Sequence, residues 1–133
     1  MRQILIQKYI KPSKITIDFN SVIECWLDKY DNLHSFLGQP SSVLYVDKKM
    51  HQQTWHKKGV INRDKDLPAV LFYKLNKIKE KQWWKNGFFH REGDKPAVLF
   101  YKKRKVVQEH WCKKGEFHRE GNMPSSIYYN KKK

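Results

Sequence analysis

Cysteine is scarce in this chain: Cys25 and Cys112 are the only two in 133 residues. They sit three copies apart in the repeat described below, roughly 30 Å if each copy adds two strands at about 4.8 Å. A disulfide needs Cα atoms within about 7 Å, so two free thiols in a reducing compartment are expected. Long apolar runs are missing too. No segment approaches the roughly 20 residues of a membrane span, and the stretch Ile4, Leu5, Ile6 is too short for the apolar part of a secretion signal. A soluble intracellular protein, in cytoplasm or nucleus, is the expectation. Catalytic signatures are equally thin. There is no HExxH string, no phosphate-cradling glycine loop and no nucleophile elbow. His110, Cys112 and His118 stand near one another but lack the paired ligand set that zinc requires. No enzyme activity, cofactor or metal is expected.

Negative charge is also short, with 13 acidic residues against 28 lysines and arginines and a formal net charge of +15. Such an excess attracts polyanions: nucleic acid, an anionic membrane surface or an acidic protein face. A solubilising surface would have the same composition. Arginine contributes little to the total, occurring only at 2, 63, 91, 104 and 119.

Proline is sparse but ordered. Pro12, Pro40, Pro68, Pro96 and Pro124 are all the prolines there are, and each lies 28 residues after the last. The period extends to the skeleton W-x3-G-x3-R-x4-P-x4-Y. It runs through Trp55, Gly59, Arg63, Pro68 and Tyr73, then Trp83, Gly87, Arg91, Pro96 and Tyr101, then Trp111, Gly115, Arg119, Pro124 and Tyr129. Trp26, Pro40 and Tyr45 belong to a drifted first copy, one residue longer between Trp and Pro, with Asp31 in the place of Gly and Ser35 in the place of Arg. Asp31-Asn32 still tolerates a left-handed turn. Fixed spacing of this kind marks a repeat architecture, in which each unit buries its apolar residues on its neighbours. The chain divides into an N-terminal cap and half repeat (1–25), repeats at 26–53, 54–81 and 82–109, and a fourth repeat with a basic tail (110–133).

Within the period, Pro-Ala-Val-Leu-Phe-Tyr at 68 and 96 is β-branched and aromatic, opened by a proline where no ladder N–H is required. It predicts one strand, and the run ending at Trp predicts a second, antiparallel to it. Ala97, Leu99 and Tyr101 should share one face, Val98 and Phe100 the other. The glycine after Trp supplies the positive φ of a turn. Gly and Pro nine residues apart leave no room for a capped helix. The prediction is an all-β chain of tandem hairpins in a single elongated, twisted antiparallel sheet, with ladders of Trp and Tyr along it.

The segments GFFHREGDKPAV (87–98) and GEFHREGNMPSS (115–126) resemble the MORN-like repeats. The match is to the variant with a G-x-x-H-R-E-x-x-x-P-A core, common in proteins of large DNA viruses and phages and in some bacteria. The resemblance covers residues 26 to 129, although the classical unit is shorter and richer in glycine and tyrosine. It implies consecutive β-hairpins, contacts with proteins or lipid surfaces rather than catalysis, and a viral structural or host-interaction role in a virion or host cell.

Two sets of residues remain as candidate sites. Arg63, Arg91 and Arg119 form a row that could read phosphates, yet each is followed by an acid (Asp64, Glu92, Glu120) and preceded by a repeat Trp. A turn held by salt bridge and cation–π stacking is the expected use. His90 and His118 are expected to hydrogen-bond the backbone. Candidate polyanion contacts are Lys57, Lys58, Lys85, Lys113 and Lys114 beside the tryptophans, and the tetrad Lys102, Lys103, Arg104 and Lys105 on a hairpin tip, which also matches a nuclear-localisation signal. Lys131 to Lys133 would protect a last, unpaired strand from edge-to-edge pairing. The leading expectation is a non-enzymatic binding or scaffold module with a protein partner, the alternative a nucleic acid binder, and the weaker alternative an anionic-lipid contact.

Overall fold

The computed structural model of the protein describes residues 12–129. The expected N-terminal cap at 1–11 and the lysines at 131–133 lie outside the described residues. Among the described residues every regular element is a strand. In chain order they are β1 (Ser13–Asp18), β2 (Ser21–Cys25), β3 (Ser42–Val46), β4 (Lys49–Thr54), β5 (His56–Lys57), β6 (Val60–Ile61), β7 (Val70–Lys74), β8 (Lys77–Gln82), β9 (Trp84–Lys85), β10 (Phe88–Phe89), β11 (Val98–Lys102), β12 (Lys105–His110), β13 (Cys112–Lys113), β14 (Glu116–Phe117) and β15 (Ser126–Tyr128). Nine of them pair in the order β1-β2-β3-β4-β7-β8-β11-β12-β15, which is the order of the chain. Eight gaps of about 4.8 Å make the sheet about 38 Å across its strands. Among the described residues no helix is long and apolar enough to cross a membrane.

The hairpins form where the sequence pattern places them, and their tips explain the pairing. Val46 opposes Lys49, Lys74 opposes Lys77 and Lys102 opposes Lys105, leaving two residues in each loop. Both loop residues are left-handed: Asp47 and Lys48 at φ 51° and 64°, Leu75 and Asn76 at 52° and 62°, Lys103 and Arg104 at 51° and 65°. Two such residues in succession are a type I′ turn, whose twist matches that of the flanking strands. None of the six is glycine, so each carries a left-handed penalty of order 1 kcal/mol that strand pairing offsets. Beyond each tip the second strand holds one extra residue, at His51, Lys79 and Val107. This recurrent bulge re-aims the outer end of that strand.

The expectation of one sheet requires a correction. The Trp-to-Gly stretch, read as a turn, is a second and smaller hairpin in three copies: β5 with β6, β9 with β10, and β13 with β14. Each closes on a two-residue loop, Lys58-Gly59, Asn86-Gly87 or Lys114-Gly115, again with both φ positive. Sequential antiparallel order puts every I′ tip of the large hairpins on one rim of the sheet. The small hairpins consequently line the opposite rim.

The core lies where the two rows meet. Trp55, Trp83 and Trp111 are 5%, 7% and 5% exposed, and Ser41, Ala69 and Ala97, at the same place in the first three copies, are fully buried. The backbone N–H of each repeat tryptophan donates to the carbonyl at that place in its own copy: Trp26 to Ser41, Trp55 to Ala69, Trp83 to Ala97, Trp111 to Ser125. The indole N–H groups of Trp55 and Trp83 reach back to the preceding copy, at the Gly38 and Asp66 carbonyls, so the Trp ladder lies at the joint between copies, as its constant phase predicted. Only a small side chain fits there, and Ser41 meets the polar requirement by donating to the Thr54 carbonyl at 2.9 Å and sharing a 2.6 Å hydrogen bond with His56 Nδ1. Cys25 and Cys112 are buried free thiols, their pKa raised by burial.

Candidate functional site

Three guanidiniums stack on the tryptophan row. The central carbon of Arg63 lies 3.8 Å from the Trp55 ring, Arg91 lies 3.8 Å from Trp83, and Arg119 lies 3.7 Å from Trp111. Nη1 of each then donates to the carbonyl of its own repeat proline, at 3.0 Å to Pro68, 3.0 Å to Pro96 and 3.1 Å to Pro124. The pose is thus the same in all three copies, set by the ring beneath and the carbonyl ahead. Cation–π stacking between partly desolvated groups contributes about 0.5–2 kcal/mol per pair.

The salt bridges differ from expectation. The acid that follows each arginine pairs instead with the polar residue before it: Asn62 donates to Asp64 at 3.3 Å, His90 meets Glu92 at 2.8 Å, and His118 meets Glu120 at 3.1 Å. The arginines reach back one copy. Arg91 grips Asp66 through Nε at 2.9 Å and Nη2 at 3.3 Å, and Arg119 grips Asp94 through the same atoms at 2.7 and 3.1 Å. A guanidinium edge matches a carboxylate in this bidentate way. Arg91, with Lys95 at 2.9 Å, holds the Asp66 carboxyl at about 2; Arg119 likewise lowers Asp94 and is itself raised by it. Arg63 has no such partner among the described residues, because Gly38 stands where the other copies carry Asp. Burial lowers its pKa. Asp66 and Asp94 were missed as site residues, and the available signal was their 28-residue spacing in phase with Gly38.

The small hairpins are tied together by the same logic. His34 Nδ1 accepts the Lys58 N–H at 3.0 Å, Asn62 Oδ1 the Asn86 N–H at 2.9 Å, and His90 Nδ1 the Lys114 N–H at 3.0 Å. The following glycine donates to the copy before it: Gly59 to the Leu33 carbonyl, Gly87 to Ile61, Gly115 to Phe89. A Cβ on Gly115 would lie 3.1 Å from Phe88 Cδ1, so close approach as well as φ requires glycine. His90 thus has the backbone role expected of it. His118 is exposed, with His110 and Cys112 buried, and no group of three or more His, Cys, Asp or Glu among the described residues could hold a metal.

The tyrosines tie the large hairpins. Tyr73 donates to Gln53 Oε1 at 2.6 Å and Tyr129 to Glu109 Oε1. The Lys81 ammonium lies 5.3 Å from the Tyr101 ring, and the Tyr45 phenol is pushed up by burial and then by Glu24.

The candidate lysines split between the two rims. Lys102, Lys103, Arg104 and Lys105 are exposed at the β11–β12 tip, while Lys57, Lys58, Lys85 and Lys114 are exposed on the small hairpins. Lys113 is different. It is half-buried, and its ammonium donates to the carbonyls of Arg91 at 2.8 Å and Gly93 at 3.4 Å. Set against protein-family models, curated proteins and solved structures, the chain matches none of them.

Proposed function

We propose that this chain is a non-enzymatic MORN-like repeat module that presents its long sheet and basic rims to a macromolecular partner. The observation that supports this reading is how the repeated polar groups are used. Arg91, Arg119, His90, Asn62, Asp66 and Asp94 bind one another or the backbone across copies, so the most regular polar groups of the chain work as its mortar. Lysines, by contrast, are exposed along both rims. A protein partner with acidic groups suits both rims.

A second reading, nucleic acid binding, draws support from the exposed tetrad at 102–105 and from Lys57, Lys58, Lys85 and Lys114 along the other rim. Salt separates the two. Log affinity for duplex DNA falls by about 0.9 per phosphate contacted for each tenfold rise in salt. Fluorescence anisotropy with a labelled random-sequence duplex is expected to give weak binding that disappears near physiological salt, and the double variant Lys57→Glu/Lys85→Glu to weaken it more than Trp84→Ala. Tight binding that persists above physiological salt would put nucleic acid first.

A further inference from the structure

Gly38 occupies the place of Asp66 in the fold as well as in the sequence. Trp55 Nε1 donates to the Gly38 carbonyl at 3.0 Å, just as Trp83 Nε1 donates to the Asp66 carbonyl at 3.1 Å. Both residues are left-handed, at φ 77° and 54°. From that place Asp66 sends its carboxylate onto Nε and Nη2 of Arg91, and Asp94 does the same for Arg119. Gly38 has no side chain to send. Arg63 nevertheless keeps the pose of the other two, stacked on Trp55 and bonded through Nη1 to Pro68. Its Nε and Nη2 edge is therefore turned toward the preceding copy, where no carboxylate among the described residues meets it.

Arg63 lines a cavity of about 340 Å³ together with Gly38, Trp55, Lys57, Asp64 and Lys65. A Cβ built on Gly38 meets no heavy atom within 4 Å, so there is room on the path along which a carboxylate enters the other copies. The cationic groups on the wall are Lys57, Arg63 and Lys65, against the single carboxylate of Asp64. The two histidines there, His34 and His56, are engaged with the Lys58 N–H and the Ser41 hydroxyl. The balance favours an anion, and the guanidinium fork specifies its geometry.

We propose that this cavity receives an aspartate or glutamate side chain from the protein partner, which takes on Arg63 the seat that Asp66 takes on Arg91. The inference deepens the function proposed above and rests on it only for the partner being a protein. Binding here would place an acidic residue of the partner at a fixed point of the array, beside the first small hairpin, with Lys57 and Lys65 flanking it.

The test is an NMR titration of the full chain at low salt, following the Arg63 Nε–H and Trp55 Nε1–H signals. The probes are acetyl-Gly-Asp-Gly-amide, acetyl-Gly-Gly-Gly with a free C-terminus, and inorganic phosphate. The side-chain carboxylate is expected to shift both signals with a millimolar Kd and to bind more tightly than the other two. Gly38→Asp, which supplies the carboxylate from within, is expected to weaken binding at least tenfold. Arg63→Lys, which keeps the charge but loses the fork, should weaken it similarly when read at Trp55. The inference is overturned if no probe moves the two signals, if phosphate or the free C-terminus binds more tightly, or if Gly38→Asp binds as the native chain does. Failure here leaves the rim reading to its own salt titration, since none of these probes spans the rims.

Discussion

The first copy of the repeat has drifted where the third is strict. In the third, Trp84–Lys85 and Phe88–Phe89 form a regular small hairpin around Asn86 and Gly87. In the first, the corresponding stretch is one residue longer, and a lone bridge between Leu27 and Leu33 replaces the hairpin. Asp28 takes over its internal bonding: its Oδ1 accepts the N–H groups of Tyr30 at 2.8 Å and Asn32 at 3.0 Å, while Asp31 is left-handed at φ 64°. This is an Asx-type turn, built from a side chain where glycine is missing. Yet both copies offer the next one the same groups. Leu33 and Phe89 each present a carbonyl to the following glycine, and His34 and His90 each present Nδ1 to the N–H before it. The interior of a unit drifts while the backbone hydrogen bonds of its joints are kept, as expected when stability comes from unit-to-unit interfaces.

The strongest way to break the comparison is at the tryptophans. Trp83→Ala removes a nearly buried ring that also carries Arg91, and is expected to cost about 3–5 kcal/mol in urea denaturation. Trp26 is only half-buried, and Trp26→Ala should cost less than half as much. Equal losses would mean that the first copy contributes as much to the array as the strict ones.

A smaller effect sharpens the account of the turns. Gly115→Ala combines φ 87° with a Cβ at 3.1 Å from Phe88, and a loss of about 1–3 kcal/mol is expected from differential scanning calorimetry. Asp31→Gly in the first copy should stay within about 0.5 kcal/mol of the native chain, because relief of a left-handed aspartate offsets the added freedom of the unfolded state. A clear loss at Asp31 would show that the loop depends on that side chain.

The smallest effect concerns the ion pair that the first joint lacks. Arg91 and Lys95 depress the Asp66 carboxyl from 3.8 to about 2. A depressed acid contributes stability above its unfolded pKa and loses it as pH falls through the folded value. Asp66 is 42% exposed, so solvent screening keeps the contribution under about 1 kcal/mol. Asp66→Asn should therefore be slightly less stable than the native chain at pH 5 to 7, with the difference vanishing toward pH 2 in urea titrations. A difference that persists at pH 2 would assign the effect to the hydrogen bonds rather than to the charge.

Much of this architecture is local and so was open to reading from residues alone. The strands follow from β-branched and aromatic runs opened by Pro68 and Pro96, the positive φ of Gly59, Gly87 and Gly115 from the demands of a tight turn, and the burial of Trp55, Trp83 and Trp111 from their constant phase. The stacking of Arg on Trp was within reach too, because both recur in every strict copy. Three features came only with the tertiary structure. The small hairpins need a preceding copy to accept the N–H of their glycine, the bulges at His51, Lys79 and Val107 depend on a partner strand, and the grip of Arg91 on Asp66 joins residues 25 apart in different copies. The sequence neighbours of the arginines, Asp64, Glu92 and Glu120, were the wrong partners for the same reason. A guanidinium lying flat on the Trp of its own copy, with Nη1 turned to its own proline, points its free edge backward across the joint. Which carboxylate waits there is decided by the stacking of copies, and at the first joint, among the described residues, Gly38 offers none.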